Sequence, residues 1–189
     1  EKNDIELNDE NRQKYNEIIE KVQLALDISN DFSKVALLLR KKGLEGLNEI
    51  KIEVGNPINV MLYQKAKDVS DAFSIVGKPA AFEYKYDGFR VNIHKKNDNV
   101  KIFTRRLEDV TTQFPDIVEF VKSNIKSNEI ICEGEAVGYE PITKKYVPFQ
   151  SISQRIRRKY DIDEISQKFP VEVNLFDVIY HEGKNLINT

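Results

Sequence analysis

The chain has 189 residues, 40% of them hydrophobic and 32% charged, with a formal net charge of −2. That is enough for one domain of ordinary size and a smaller piece beside it, with a densely charged surface. A single cysteine, Cys132, excludes an internal disulfide and a Cys-rich zinc site, and no apolar run approaches the roughly 18 residues of a membrane span, so no membrane partner is expected.

In chain order, residues 11–27 read as a helix with Ile18, Ile19, Val22, Ala25 and Leu26 on one face, capped by Asn8 or Asp9. A second helix spans 32–42, capped by Asn30 or Asp31 and stopped by Gly43 after Lys41-Lys42. Residues 49–54 alternate as a strand or extended linker, and Gly55-Asn56-Pro57 breaks the chain. Asp68 caps a short helix that ends before Gly77. Phe82–Tyr86 and Arg90–Lys95 read as strands, and Val100–Thr104 returns after a turn at Asn97-Asp98-Asn99. Phe114–Ile125 is helical with Pro115 in its first turn. Ile130–Tyr139 and Val171–Tyr180 are long enough for central strands, and 150–168 is mostly helical. The class is α+β, with antiparallel sheets and a few helices.

Charge is unevenly spread. Residues 1–54 hold 9 Lys+Arg against 12 Asp+Glu, whereas Arg155, Arg157, Arg158 and Lys159 place four cations in five positions. Such a patch suits contact with nucleic-acid phosphates, gripping the backbone without reading sequence.

The densest chemical signal is Lys85-Tyr86-Asp87-Gly88-Phe89-Arg90. A lysine, an Asp-Gly turn and an arginine at these spacings should occur by chance in roughly one such chain in several hundred. A nucleophilic lysine must shed its proton, aided by desolvation or by neighbouring cations. The apolar run Ala80-Ala81-Phe82 suggests partial burial of Lys85, and Arg90 returns along the neighbouring strand. Glu133 and Glu135, two apart, share one strand face, which costs energy unless a cation or ribose hydroxyls lie between them. His94 and His181 show no metal-ligand spacing.

The Lys85–Arg90 run resembles the first nucleotidyltransferase motif of the DNA ligase, RNA ligase and mRNA-capping superfamily. Ile102–Thr111, Cys132–Val137 and Val173–Tyr180 resemble later motifs, in family order and spacing. Asn30-Asp31-Phe32, Gly43–Leu47 and Val54–Ile58 resemble the junction between the DNA-binding and adenylation domains of archaeal and eukaryotic-type ATP-dependent DNA ligases. Capping enzymes and RNA ligases lack that helical domain, so the upstream match favours a DNA ligase over them. A non-catalytic nucleic-acid-binding module that keeps only the fold is the other alternative.

The resemblance implies an antiparallel-sheet nucleotidyltransferase domain of the ATP-grasp-like ligase adenylation kind, preceded by a short all-helical segment. Residues 1–54 would be the last helices of the DNA-binding domain, and 55–189 an adenylation domain truncated at its C-terminus. It implies that Lys85 takes AMP from ATP, with Glu83 beside the adenine and Phe176 stacked on it. Arg90 and Arg105 would contact ribose or phosphate, and Glu135 the ribose and Mg²⁺. Arg106, next to Arg105 on a strand, would face away. The implied partners are nicked double-stranded DNA and a sliding clamp reached through a region N-terminal to this sequence. The implied location is the cytoplasm, with the nucleoid, in an archaeon or the nucleus in a eukaryote. The family's later metal-binding glutamate and lysine pair have no counterpart in these 189 residues, so this chain alone is not expected to seal nicks efficiently.

Overall fold

A computed structural model describes residues 9–59 and 64–187. The first helix, α1 (Asp9–Ser29), runs beyond the range read from the sequence; the side chains of Asn8 and Asp9 lie outside the described residues. Helix α2 (Phe32–Lys42) follows, with the Asp31 carboxylate accepting from the Lys34 backbone N–H at 2.9 Å. Gly43 ends it at φ 65°, a left-handed value that glycine adopts without strain. A 3₁₀ segment (Gly43–Glu49), absent from the sequence reading, then folds back. Ala25, Val35, Leu47 and Ile50 form the small core of this helical part.

Residues 49–54 form no strand. Glu49 closes the 3₁₀ segment and residues 50–53 run on as a linker whose Ile52, with Ile58, packs on Ile131 and Ile179 of the sheet. Each such buried aliphatic side chain contributes about 1.5–3 kcal/mol. Helix α3 (Val69–Val76) is capped by Asp68 and closed by Gly77 as expected, but buries none of its residues fully.

Among the described residues, five antiparallel strands form one sheet: β1 (Phe89–Lys96), β2 (Asn99–Thr104), β3 (Glu129–Gly138), β4 (Val171–His181) and β5 (Lys184–Asn185), in the order β2-β1-β3-β4-β5. The antiparallel α+β expectation holds. Phe89, Val91 and Ile93 of β1 and Ile130, Cys132 and Ala136 of β3 point to one face. That face is covered by α4 (Pro115–Asn124), α5 (Phe149–Arg157) and Phe114. The alternate residues Arg90, Asn92, His94, Glu133 and Glu135 line the other face.

Phe82–Tyr86 is not a strand, contrary to expectation: it has no ladder partner among the described residues, and Phe82 and Tyr84 are 81% and 89% exposed. The stretch 150–168 is mostly helical as expected, in two helices, α5 and α6 (Ile162–Lys168), parted where Asp161 turns at φ 55°.

Candidate active site

Arg90 and Glu135 are register partners across β1 and β3, so the backbone ladder sets their side chains side by side. The Lys85–Arg90 run reaches that ladder through Gly88. A Cβ there would meet the Ala136 carbonyl oxygen at 2.2 Å, so only glycine lets the chain pass. The Gly88 backbone N–H favours the ionised Glu135 carboxylate.

Glu135 is half-buried, and desolvation raises its carboxyl above the usual range. The charges of Lys85 and then Arg90 pull it back down, and Asp87 adds to the rise. Lys85, Arg90 and Glu135 thus share one electrostatic neighbourhood. Lys85 itself is exposed, contrary to the expected partial burial. In the segment before it, Phe82 meets the Phe73 ring edge-on, with centroids 6.0 Å apart, and stays 81% exposed. It lines a cavity of about 430 Å³ with Tyr84, Tyr86, Asp87, Val137, Tyr146 and Pro148. Glu83 is exposed too, and lies on no strand.

Glu133 shares the face of Glu135, as the spacing of two requires, but is buried. Its charge is met by Arg90, whose Nε donates to Oε1 at 3.2 Å and whose Nη2 donates to Oε2. Asn92 Nδ2 adds a bond to Oε1 at 3.1 Å. This commitment leaves the two Nη1 hydrogens, the second Nη2 hydrogen and the flat face of the Arg90 guanidinium for a ligand. Phe176, 41% exposed on β4, sits beside that guanidinium with 5.3 Å from Arg90 Cζ to the ring centroid. It is therefore a surface ring on the site face rather than a core residue.

Arg105 and Arg106 do not alternate on a strand, because β2 ends at Thr104 and the chain turns, with Leu107 N–H donating to Thr104 O at 2.8 Å. Both arginines line a cleft of about 750 Å³ that also holds Arg90, Arg157 and Lys159. Strand alternation therefore does not choose between Arg105 and Arg106.

The basic run divides. Arg157 and Lys159 face that cleft. Arg158 instead lines a small hollow with Asp161, Glu164 and Lys168. Arg155 is fully buried, bonded to Asp116 and to the carbonyls of Gln113 and Phe169, and is withdrawn from the set of DNA contacts. Burial and Glu133 push the Cys132 thiol up to about 12, so it is no nucleophile at neutral pH. Two residues that the sequence reading left without a role, Asn92 and His94, lie buried on the site face. Their signal was their even register with Arg90 on β1.

A family model described as ATP dependent DNA ligase domain matches residues 60–189. The DNA ligase of Nanoarchaeum equitans (strain Kin4-M) is 52% identical over 168 residues, 89% of this chain and 30% of that protein. The DNA ligase of Thermococcus fumicolans is 45% identical over 170 residues, 90% of this chain and 30% of that protein. That of Sulfolobus acidocaldarius is 43% identical over 164 residues, 87% of this chain and 27% of that protein. The chain thus spans about 30% of the length of these curated relatives. A solved structure described as mycobacterial DNA ligase D complexed with ATP and MES overlays 57% of this chain and 31% of that one, at 27% identity and a TM-score of 0.42. By the family model and the archaeal relatives, the chain belongs to the ATP-dependent DNA ligase family.

Proposed function

We propose that this chain carries the lysine-adenylylating half of a DNA ligase site, and that the protein it belongs to seals nicks in duplex DNA. The observation that carries the reading is the convergence of the Lys85 and Arg90 charges on Glu135 at the paired ends of β1 and β3. In the first step the neutral Lys85 amine attacks the α-phosphorus of ATP. An N–P bond forms, the bond to the β-phosphate oxygen breaks, pyrophosphate departs with the electron pair, and the nitrogen gives up one proton to solvent. AMP then passes to the 5′-phosphate of a nick, which frees Lys85. Attack by the 3′-hydroxyl on that phosphate finally expels AMP and joins the strand.

Each transfer spreads charge over phosphate oxygens, so catalysis depends on position and on cations. Arg90 and Arg105 supply fixed positive charge to ribose and phosphate. Phe176 offers a π face to the adenine, worth on the order of 1–3 kcal/mol, and Glu83 a carboxylate at its edge. Arg157 and Lys159, beside Arg105 in one cleft, grip the DNA backbone. Mg²⁺ typically takes one or two carboxylates plus phosphate oxygens. Glu135 would be the protein ligand, and the ion would neutralise developing phosphate charge. A sliding clamp contacting a region N-terminal to these residues belongs to the same proposal.

Intact-protein mass after incubation with ATP and Mg²⁺ tests the first step. The longer protein that contains this chain is expected to gain one AMP, and its Lys85→Ala variant none. No gain in that longer protein would end the reading. The 189 residues alone are expected to seal nicks poorly, and full sealing by them would refute the need for the family's later motifs.

A further inference from the structure

His94 is only 1% exposed and belongs to none of the motifs above. Its Nδ1 accepts from the backbone N–H of Gly55 at 2.8 Å. An accepting imidazole nitrogen carries no hydrogen, so the hydrogen sits on Nε2 and is donated to Asn92 Oδ1. That bond orients the Asn92 amide, which turns Nδ2 toward Glu133 Oε1 at 3.1 Å. Glu133 in turn holds Arg90 by two nitrogens, and Arg90 sits beside Phe176. Every donor and acceptor role along this line is fixed by the first bond.

The other end of the line is the linker. Asn56 Nδ2 donates to Ser29 O at 2.9 Å, and Asn59 N–H to Asp27 O at 3.1 Å, so the linker is pinned to the end of α1. Phe103 meets the His94 ring edge-on at 5.1 Å and holds its plane. A histidine that merely filled the core would need partners, but not a directed chain ending on a nucleotide-site arginine.

We propose that His94 is a positioning residue that couples the linker at Gly55 to the orientation of Arg90, so that the placement of the helical segment tunes nucleotide binding. Asn92 is the intermediate: an aspartate there would set two carboxylates against each other, with no donor for Glu133. The inference rests on the adenylylation reading above.

The test uses the longer protein that contains this chain and follows AMP loading against ATP concentration. His94→Phe, which keeps the contact with Phe103, is expected to raise the half-saturating ATP about ten-fold, the size of one lost charge-linked hydrogen bond. The maximal rate should fall less. His94→Gln, which keeps an N–H toward Asn92, should recover most of the loss. Asn56→Ala, which frees the linker from Ser29, should weaken ATP binding by itself and add nothing in the His94→Phe background. An unchanged half-saturating ATP in His94→Phe, or equal effects of Asn56→Ala in both backgrounds, would overturn the coupling. Imidazole ¹⁵N shifts provide a readout without activity: bare Nδ1 and protonated Nε2 are expected, and the reverse tautomer defeats the proposal even if the Phe variant fails to fold. Failure of the unaltered protein to take up AMP is a different result, and would remove the functional reading together with this inference.

Discussion

Arg155 forks across the carboxylate of Asp116, with Nη2 2.6 Å from Oδ1 and Nη1 2.9 Å from Oδ2. The same guanidinium donates to the carbonyls of Phe169 and Gln113, and lies 4.4 Å from the Phe114 ring centroid. One side chain therefore ties α5 to the start of α4 and to the end of α6.

Arg155→Ala should accordingly cost about 3 kcal/mol of stability, the low end for breaking a buried pair. Water reaches Asp116, whose side chain is 33% exposed, and eases the charge left behind. Arg155→Lys should recover only part, since an ammonium cannot span both oxygens and two carbonyls. Denaturant unfolding measures both. A change in stability below about 0.5 kcal/mol would return Arg155 to the surface set.

Arg157 and Lys159 should behave in the opposite way. Each alanine substitution is expected to leave stability unchanged and lower the slope of log affinity against log salt for nicked duplex by about 0.9. Arg158→Ala should leave that slope as it is, because Arg158 is grouped with Asp161 and Glu164. Equal effects at all three positions would mean that the run acts as one patch, as its bare sequence suggests.

Gly88 provides a third test. Its absent Cβ would lie 2.2 Å from Ala136 O and 3.0 Å from Glu135 Cγ, and the carbonyl belongs to a central strand that cannot yield cheaply. Gly88→Ala should cost about 1–3 kcal/mol and remove AMP loading, since the displaced backbone carries Lys85 and Arg90 on either side. Loading at the unaltered rate in a stable Gly88→Ala protein would show that this close approach is dispensable.

The sequence was most readable where one local rule acts alone. Asp31 and Asp68 cap helices because a carboxylate two or three residues before a free N–H has no better partner, and Gly43 and Gly77 stop them at positive φ. The hairpin at Asn97 and Asp98 and the shared face of Glu133 and Glu135 follow from period two. The misses arise where tertiary partners decide. Phe82–Tyr86 has strand-like residues, but a strand needs a neighbour, and propensity does not supply one. Arg155 looked like part of a cationic surface because four charges fell in five positions. Its place three residues after the buried Ile152 puts it on the inward face of α5, a signal that the charge count concealed. His94 had no metal-ligand spacing, which is a poor guide to an imidazole whose work is to pass one hydrogen bond from the linker to Asn92.

His94 also sets an acid limit on stability. Burial, and after it the charge of Lys101, lowers its pKa from 6.5 to about 4. The cleft beside it holds Glu53, which favours the protonated ring, and Lys96, which with Lys101 opposes it. Between those two pH values the unfolded chain binds a proton that the native chain refuses, so stability rises with pH across the window. The contribution is complete above about 6.5 and is lost as pH falls toward 4, by up to about 3 kcal/mol. Protonation would also give Nδ1 a hydrogen facing the Gly55 N–H donor, which breaks the first bond of the line. His94→Phe should flatten the stability curve between pH 6.5 and 4, as measured by denaturant unfolding at a series of pH values. Glu129 cannot stand in for it there: its bonds from Lys96 and Tyr180 lower its carboxyl below the usual range, so its contribution disappears only at more acid pH. An identical slope in the Phe variant would show that His94 titrates alike in the folded and unfolded chains, and so that the buried, neutral imidazole is not what the native state holds.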